Sequence, residues 1–368
     1  MTIVRHVLGI SGGKDSAALA IYLRQNYPEL NIEYYFMDTG KELDETYEFI
    51  DELEVFLGQS IARLHAASGS PLDPFDHYLA MYGGYLPSPT ARWCTRKLKL
   101  EPFERDFVGD DLAISYVAIR GDEDREGYIS HRPNIQTIFP FRRNIWSKDV
   151  TTLALTDENI GTMASIYAEL VEGKRRDAAI NIVERSTSVK FNLVRKLNVL
   201  LDFDITLFNH AIFTYLQETG YPLSKGDVFP LLDNEESIDR DGVFRLLDES
   251  GVGRPKYYEP IELSSNGHTG FYNRSRSGCY FCFFQQKIEW IWLYEQHPER
   301  FQQAMEYEKD GFSWMDDERL EDLIHPERIE AIKKAHLTNS ATNQTNGSAY
   351  LIDILSESEG EGCTICFI

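Results

Sequence analysis

The 368 residues, 42% of them hydrophobic, suffice for one large or two modest buried cores and exclude a wholly disordered chain. Lys and Arg number 37 against 59 Asp and Glu, a formal charge of −22. This argues against indiscriminate binding to phosphate backbones or anionic membranes, so a nucleic-acid partner needs a local basic patch. Residues 1–6 show no secretion leader, no run approaches the roughly 18 apolar residues of a membrane span, and five cysteines, an odd number, do not resemble a secreted disulfide framework. The expectation is a soluble, cytoplasmic protein whose thiols serve metal binding or catalysis.

Residues 6–10 form a short apolar run closed by glycines and residues 17–24 have helical composition, so the chain opens as strand, tight turn, helix. Residues 32–37 read as a second strand ending at Asp38-Thr39-Gly40, residues 43–57 repeat apolar positions at helical spacing, and residues 112–119 make a later strand. Strands alternating with helices predict an α/β fold, a mainly parallel sheet with helices on both faces. From about residue 151 to 241, charged, helix-favouring stretches such as 164–198 predict a helical insertion. Residues 264–277 are polar and lead to Cys279-Tyr280-Phe281-Cys282 and an aromatic-rich helix over 285–307. Residues 337–348 are too polar to bury a core and read as a flexible tether to the terminal Cys363-Thr364-Ile365-Cys366.

A strand that delivers Ser11-Gly12-Gly13-Lys14-Asp15-Ser16 to a helix start aims backbone N–H groups and the positive helix end at one point, which suits a phosphate. The spacing is neither a Walker A loop nor the GxGxxG fingerprint. The alternative is a plain glycine turn with Ser11 or Asp15 capping the helix. As a loop at a sheet edge it contributes little core burial, so replacing Asp15 is expected to damage turnover more than folding.

The loop resembles the PP-loop of the adenine nucleotide alpha hydrolase superfamily, and further segments resemble its phosphoadenosine phosphosulfate (PAPS) reductase family. These are Asp38-Thr39-Gly40 with Glu45-Thr46, the stretch from Cys94 through Arg96, Lys97 and Lys99 to Pro102, Ile119-Arg120 with Glu123 and Arg125, Pro140 with Trp146 and Asp149-Val150, and Ser277-Gly278-Cys279. The resemblance implies a nucleotide site of Ser11, Gly12, Gly13, Lys14, Asp15, Ser16, Asp38, Thr39, Gly40 and Arg120 on an adenine nucleotide alpha hydrolase-like sheet, with Lys14 and Asp15 catalytic. Asp38, Thr39 and Arg120 also fall at carboxyl ends of strands, where open α/β sheets bind ligands. Arg120 is suited to grip phosphate or sulfate oxygens or, alternatively, to make a surface ion pair with Asp122 or Glu123. The organisation expected is a nucleotide-binding domain over 1–150, a helical insertion over 151–250, a cysteine-bearing helical region over 251–336 that completes the domain, and a tail over 337–368.

Cys279-x-x-Cys282 brings two thiolates close enough to share a metal, and Cys94 lies among Arg92, Arg96, Lys97 and Lys99, whose charge favours a thiolate. In the resembling family, positions like Cys94 and Cys279 hold a [4Fe–4S] cluster; structural zinc and plain core cysteines are the alternatives. Cys363 or Cys366 is available as a fourth ligand, or the terminal pair serves as a mobile, catalytic thiol pair that visits the nucleotide site. Phe281, Phe283, Phe284, Trp290 and Trp292 read as core and shielding, and Arg274, Arg276 and Lys287 as either a polyanion contact or cations on a solvated face. His77, His131 and His268 show no ligand spacing.

The Glu-Cys-Gly-Leu-His segment of sulfite-producing PAPS reductases is missing, whereas the complete loop is similar to that of ATP pyrophosphatases. The resemblance therefore implies ATP-dependent, pyrophosphate-releasing activation coupled to sulfur transfer. ATP enters with Mg2+, and a sulfur donor such as a cysteine desulfurase and a nucleic-acid acceptor are the candidate partners. A thiol-dependent PAPS or adenylyl-sulfate reductase and a non-catalytic, zinc-bearing nucleotide sensor are the other readings.

Overall fold

The computed structural model describes residues 3–345 except 266, 275, 276 and 310. Five strands, β1 (Val4–Gly9), β2 (Ile32–Asp38), β3 (Ala62–His65), β4 (Leu112–Tyr116) and β5 (Ile135–Ile138), form one sheet in the order β3-β2-β1-β4-β5. Every pairing is parallel, as the alternation of strands and helices predicts. The chain runs outward from β1 to β3 and returns to β4 on the other side of β1. The carboxyl ends of β1 and β4 therefore flank the switch point where such sheets open a crevice.

Side chains alternate along each strand. On β2, Tyr34 and Phe36 enter the larger core, whereas Tyr35 and Met37 pack on the opposite face with Phe103 and Val108. Each such side chain contributes about 2 kcal/mol on burial. Helix α1 (Lys14–Asn26) is buried through Leu23, because the sheet covers one side and a later helix the other. Helices α2 (Asp44–Leu57) and α3 (Pro74–Met81) follow, and the Cys94 segment continues into two wide π-type turns, Thr95–Leu100 and Pro102–Val108.

The insertion supplies α4 (Lys148–Leu155), α5 (Ile160–Leu170), α6 (Gly173–Val183), α7 (Leu193–Phe203), α8 (Ile205–Leu216) and α9 (Arg240–Ser250), the last packing on α1. The stretch 164–198 is broken at Gly173, which takes φ +65°, and again between α6 and α7. Met163, Tyr167, Leu200, Phe208 and Ile212 join the core that contains Leu8 and Ile114 of the sheet. Buried amides stitch the same boundary: Trp146 Nε1 donates to Asn209 at 3.0 Å, Asn234 donates to Pro140 O at 2.8 Å, and Tyr22 donates to Asn234 at 3.0 Å.

The remaining chain forms a hairpin, β6 (Ile261–Ser265) and β7 (His268–Tyr272), then α10 (Lys287–Gln296), α11 (Pro298–Glu306), α12 (Leu320–Leu323) and α13 (Pro326–Thr345) around a second, aromatic core. The aromatic helix expected over 285–307 is two helices, because Pro298 starts a new one. The tether expected from residue 337 begins as helix α13, with Leu337 buried in the second core. Phe281, Trp290 and Trp292 are core residues, as their composition suggests. Among the described residues no single helix is long and apolar enough to cross a membrane.

Candidate functional site

Strand β1 ends in the Ser11-Gly12-Gly13-Lys14-Asp15-Ser16 turn, and α1 starts inside it. Gly12 sits at φ +72°, and a Cβ there would stand 2.3 Å from Thr46 Cγ2. A Cβ on Gly13 would stand 2.4 Å from Ser277 Oγ. The loop amides meet hydroxyls: Ser11 N–H donates to Ser16 Oγ at 3.0 Å, Gly13 N–H to Ser11 Oγ at 3.3 Å, and Lys14 N–H to Tyr258 OH at 3.4 Å. No side chain caps α1, so neither Ser11 nor Asp15 plays the capping role that a plain glycine turn would give it. The amides are arranged to take a phosphate in place of these weak acceptors.

Beneath the loop lies a buried charge network. Lys14, Asp15 and Arg120 are 2%, 3% and 2% exposed. Asp15 faces Lys14 Nζ at 3.2 Å and Arg120 Nη1 at 3.0 Å, and Arg120 also reaches Asp122 at 2.9 Å and Glu123 at 3.2 Å. Burial opposes ionisation of Asp15, but Lys14 and Arg120 outweigh it and hold its carboxyl below the usual range. Burial raises Glu123 despite Arg120 and Arg125. Two expectations change here. Arg120 is no surface ion pair, and Asp15 is not a lightly buried loop residue; both sit in the floor of the site because β1 and β4 are adjacent.

At the end of β2, Asp38 accepts from Gly40 N–H and Tyr47 OH, each at 2.8 Å, and Gly40 takes φ +74°. Thr39 Oγ1 donates to Glu42 at 2.9 Å and stands 3.2 Å from Cys279 Sγ. Burial, then the Glu42 charge, pushes the Cys279 thiol well up. Glu42 is itself raised by burial, only partly offset by Lys99.

Cys94, Cys279 and Cys282, remote in sequence, line one cavity with Thr39, Lys99, Arg274 and an aromatic wall that includes Phe75, Phe281 and Trp314. Three sulfurs around a shielded cavity suit a soft metal or an iron–sulfur cluster in donor chemistry. Among the described residues, no three His, Cys, Asp or Glu side chains are grouped closely enough to hold a metal ion. Cys363, Cys366 and Arg276 lie outside the described residues.

The solvated cationic face expected around Cys279 is not formed. Arg274 is buried, and Lys287 is paired with Asp317 at 2.6 Å and Glu318 at 2.8 Å. Sequence reasoning missed Glu42, Tyr257 and Tyr258. Tyr257 OH donates to Gly12 O at 2.9 Å, across a separation of 245 residues. Only the paired aromatics in a proline-flanked turn hinted at them.

Residues 5–139 match the model of the phosphoadenosine phosphosulfate reductase domain. An uncharacterised protein of Methanocaldococcus jannaschii is 30% identical over 146 residues, covering 36% of this chain and 28% of that protein. An uncharacterised nin region protein of Escherichia phage lambda is 28% identical over 156 residues, covering 36% of this chain and 52% of that protein. The alignments thus span about half or less of these relatives' own lengths. No solved structure matches. With the sheet order, the loop and the strand-end residues all in the matched region, the chain belongs, through residues 5–139, to the PAPS reductase family of the PP-loop superfamily.

Proposed function

We propose that the chain is an ATP-dependent enzyme of sulfur transfer: it activates an acceptor by adenylation with release of pyrophosphate, and delivers sulfur from the cysteine cavity. One observation carries this reading. The strap Ser277-Gly278-Cys279 touches both half-sites, since Ser277 Oγ donates to Ser11 O at 3.4 Å while Cys279 meets Thr39 at 3.2 Å. Phosphate loop and thiols are therefore neighbours through one three-residue segment.

In this reading the loop amides and Lys14 take the phosphates of Mg2+-ATP, and their fixed positive charge offsets what builds on the departing pyrophosphate. Asp15 and Arg120 hold Lys14 in place. Asp38, Thr39 and Gly40 border the nucleotide at the end of β2. The aromatic wall keeps water from the thiols. Cys94, Cys279, Cys282 and either Cys363 or Cys366 would hold a [4Fe–4S] cluster, which when bound supplies iron able to take up and release inorganic sulfur. A sulfur donor of the cysteine desulfurase type replenishes the thiols.

Two measurements test the reading. Purified protein should release pyrophosphate from ATP when acceptor is present. Anaerobic reconstitution should give stoichiometric iron and sulfide, lost in Cys279→Ala. Binding of ATP without any pyrophosphate release, together with stoichiometric zinc and no iron, would replace this reading with a nucleotide sensor.

A further inference from the structure

Arg274 is 2% exposed, and its Nε and Nη1 have no hydrogen-bond partner. Its guanidinium lies 5.8 Å from the ring centre of Tyr257 and 5.3 Å from that of Trp292, which fix its orientation. No carboxylate among the described residues lies within ion-pair reach of it. It lines the cysteine cavity, as does Gln285, whose buried Oε1 is also without a partner. A buried cation with open donors is costly unless an anion completes it, and a guanidinium fork matches a tetrahedral oxyanion in geometry. Lys99, on the same cavity wall, adds positive potential.

We propose that Arg274 anchors a tetrahedral oxyanion, a sulfonyl or phosphoryl group, at the mouth of the cysteine cavity. The inference rests on the nucleotide reading of the neighbouring loop and extends it, because Thr39 and Ser277 join that loop to the same cavity. It assigns the cavity a substrate class, an oxyanion-bearing group presented to the thiols, and assigns Arg274 its recognition.

The test compares AMP, ADP and adenosine 5′-phosphosulfate by calorimetry on the full chain, with equilibrium dialysis of radiolabelled inorganic sulfate and phosphate alongside. In the parent, the ligand with the matching terminal group should bind roughly tenfold or more tighter than AMP, the range for charge-assisted hydrogen bonds. Arg274→Gln should erase that advantage and leave AMP affinity unchanged, with Arg274→Lys intermediate. A gain for the phosphosulfate identifies a sulfonyl source, and a gain for ADP a phosphoryl source. An Arg274→Gln protein that keeps the full advantage overturns the proposal. If the parent binds no AMP, the loop reading fails by itself, and the dialysis still decides on Arg274: sulfate or phosphate bound by the parent and lost in the variant supports it, and equal or no binding overturns it. Should the glutamine variant not fold, the parent's dialysis and the lysine variant decide between the same two outcomes.

Discussion

Thr39 Oγ1 stands 3.2 Å from Cys279 Sγ, tying the carboxyl end of β2 to the thiol that follows the hairpin. Burial and then the Glu42 charge raise this thiol, while the Thr39 contact works the other way by stabilising the thiolate. Thr39→Val keeps the shape and removes the hydroxyl. Cys279 alkylation in metal-free protein, followed by mass spectrometry, should then slow roughly two- to tenfold, the worth of one hydrogen bond. An unchanged rate would mean that the contact has no electrostatic consequence.

Asp15 sits between Lys14 and Arg120 in a buried network. Asp15→Ala leaves buried positive charge without its counter-ion and should cost about 3–5 kcal/mol in chemical denaturation. The folded-state carboxyl lies below its ordinary value of 3.8, so its stabilising contribution is present above that value and is lost as pH falls through the folded value. The stability difference between parent and Asp15→Asn should therefore be constant at neutral pH and shrink only in strong acid. A difference that shrank already near neutrality would contradict the depressed carboxyl.

Tyr258 OH accepts from Lys14 N–H at 3.4 Å, at the helix end where a phosphate is expected to bind. Nucleotide phosphate must displace that hydroxyl. Tyr258→Phe keeps the ring beside Lys14 Nζ, which lies 5.5 Å from its centre, and removes the competitor. ATP should bind a few-fold tighter, within the roughly tenfold ceiling of one neutral hydrogen bond. Weaker binding would show that the hydroxyl contacts the nucleotide instead.

The parallel sheet and its phosphate loop are readable because glycines punctuate the chain and the strands carry an apolar period. Strand β3 escapes notice because it is short and presents Arg63 and His65 at the sheet edge. The floor of the site is hidden for a different reason. Arg120 meets Asp15 across 105 residues, and Tyr257 meets Gly12 across 245; no local spacing encodes such meetings, which follow from strand order and from packing of the second core. Arg274 reads in sequence as one of several scattered cations, and only its burial between Tyr257 and Trp292 separates it from Lys287.

Gly13 offers the sharpest test of the strap between loop and cysteines. Its φ of −102° is open to any residue, so alanine brings no backbone strain; what it lacks is room. The added Cβ would lie 2.4 Å from Ser277 Oγ and 3.2 Å from Ser277 Cβ. Rotating the hydroxyl relieves the first contact but breaks its bond to Ser11 O, and the second persists, so the segment from Ser277 to Cys279 must retreat by a few tenths of an ångström. Overpacking of this kind costs about 1–3 kcal/mol. Gly13→Ala should therefore weaken ATP binding and also disturb thiol reactivity at Cys279, although Cys279 does not touch Gly13. Adding Ser277→Gly removes both offending atoms and should restore the two properties together. Restoration of neither would place the damage on the phosphate side of the loop and uncouple it from the strap; restoration of ATP binding alone would show that loop and thiols respond independently.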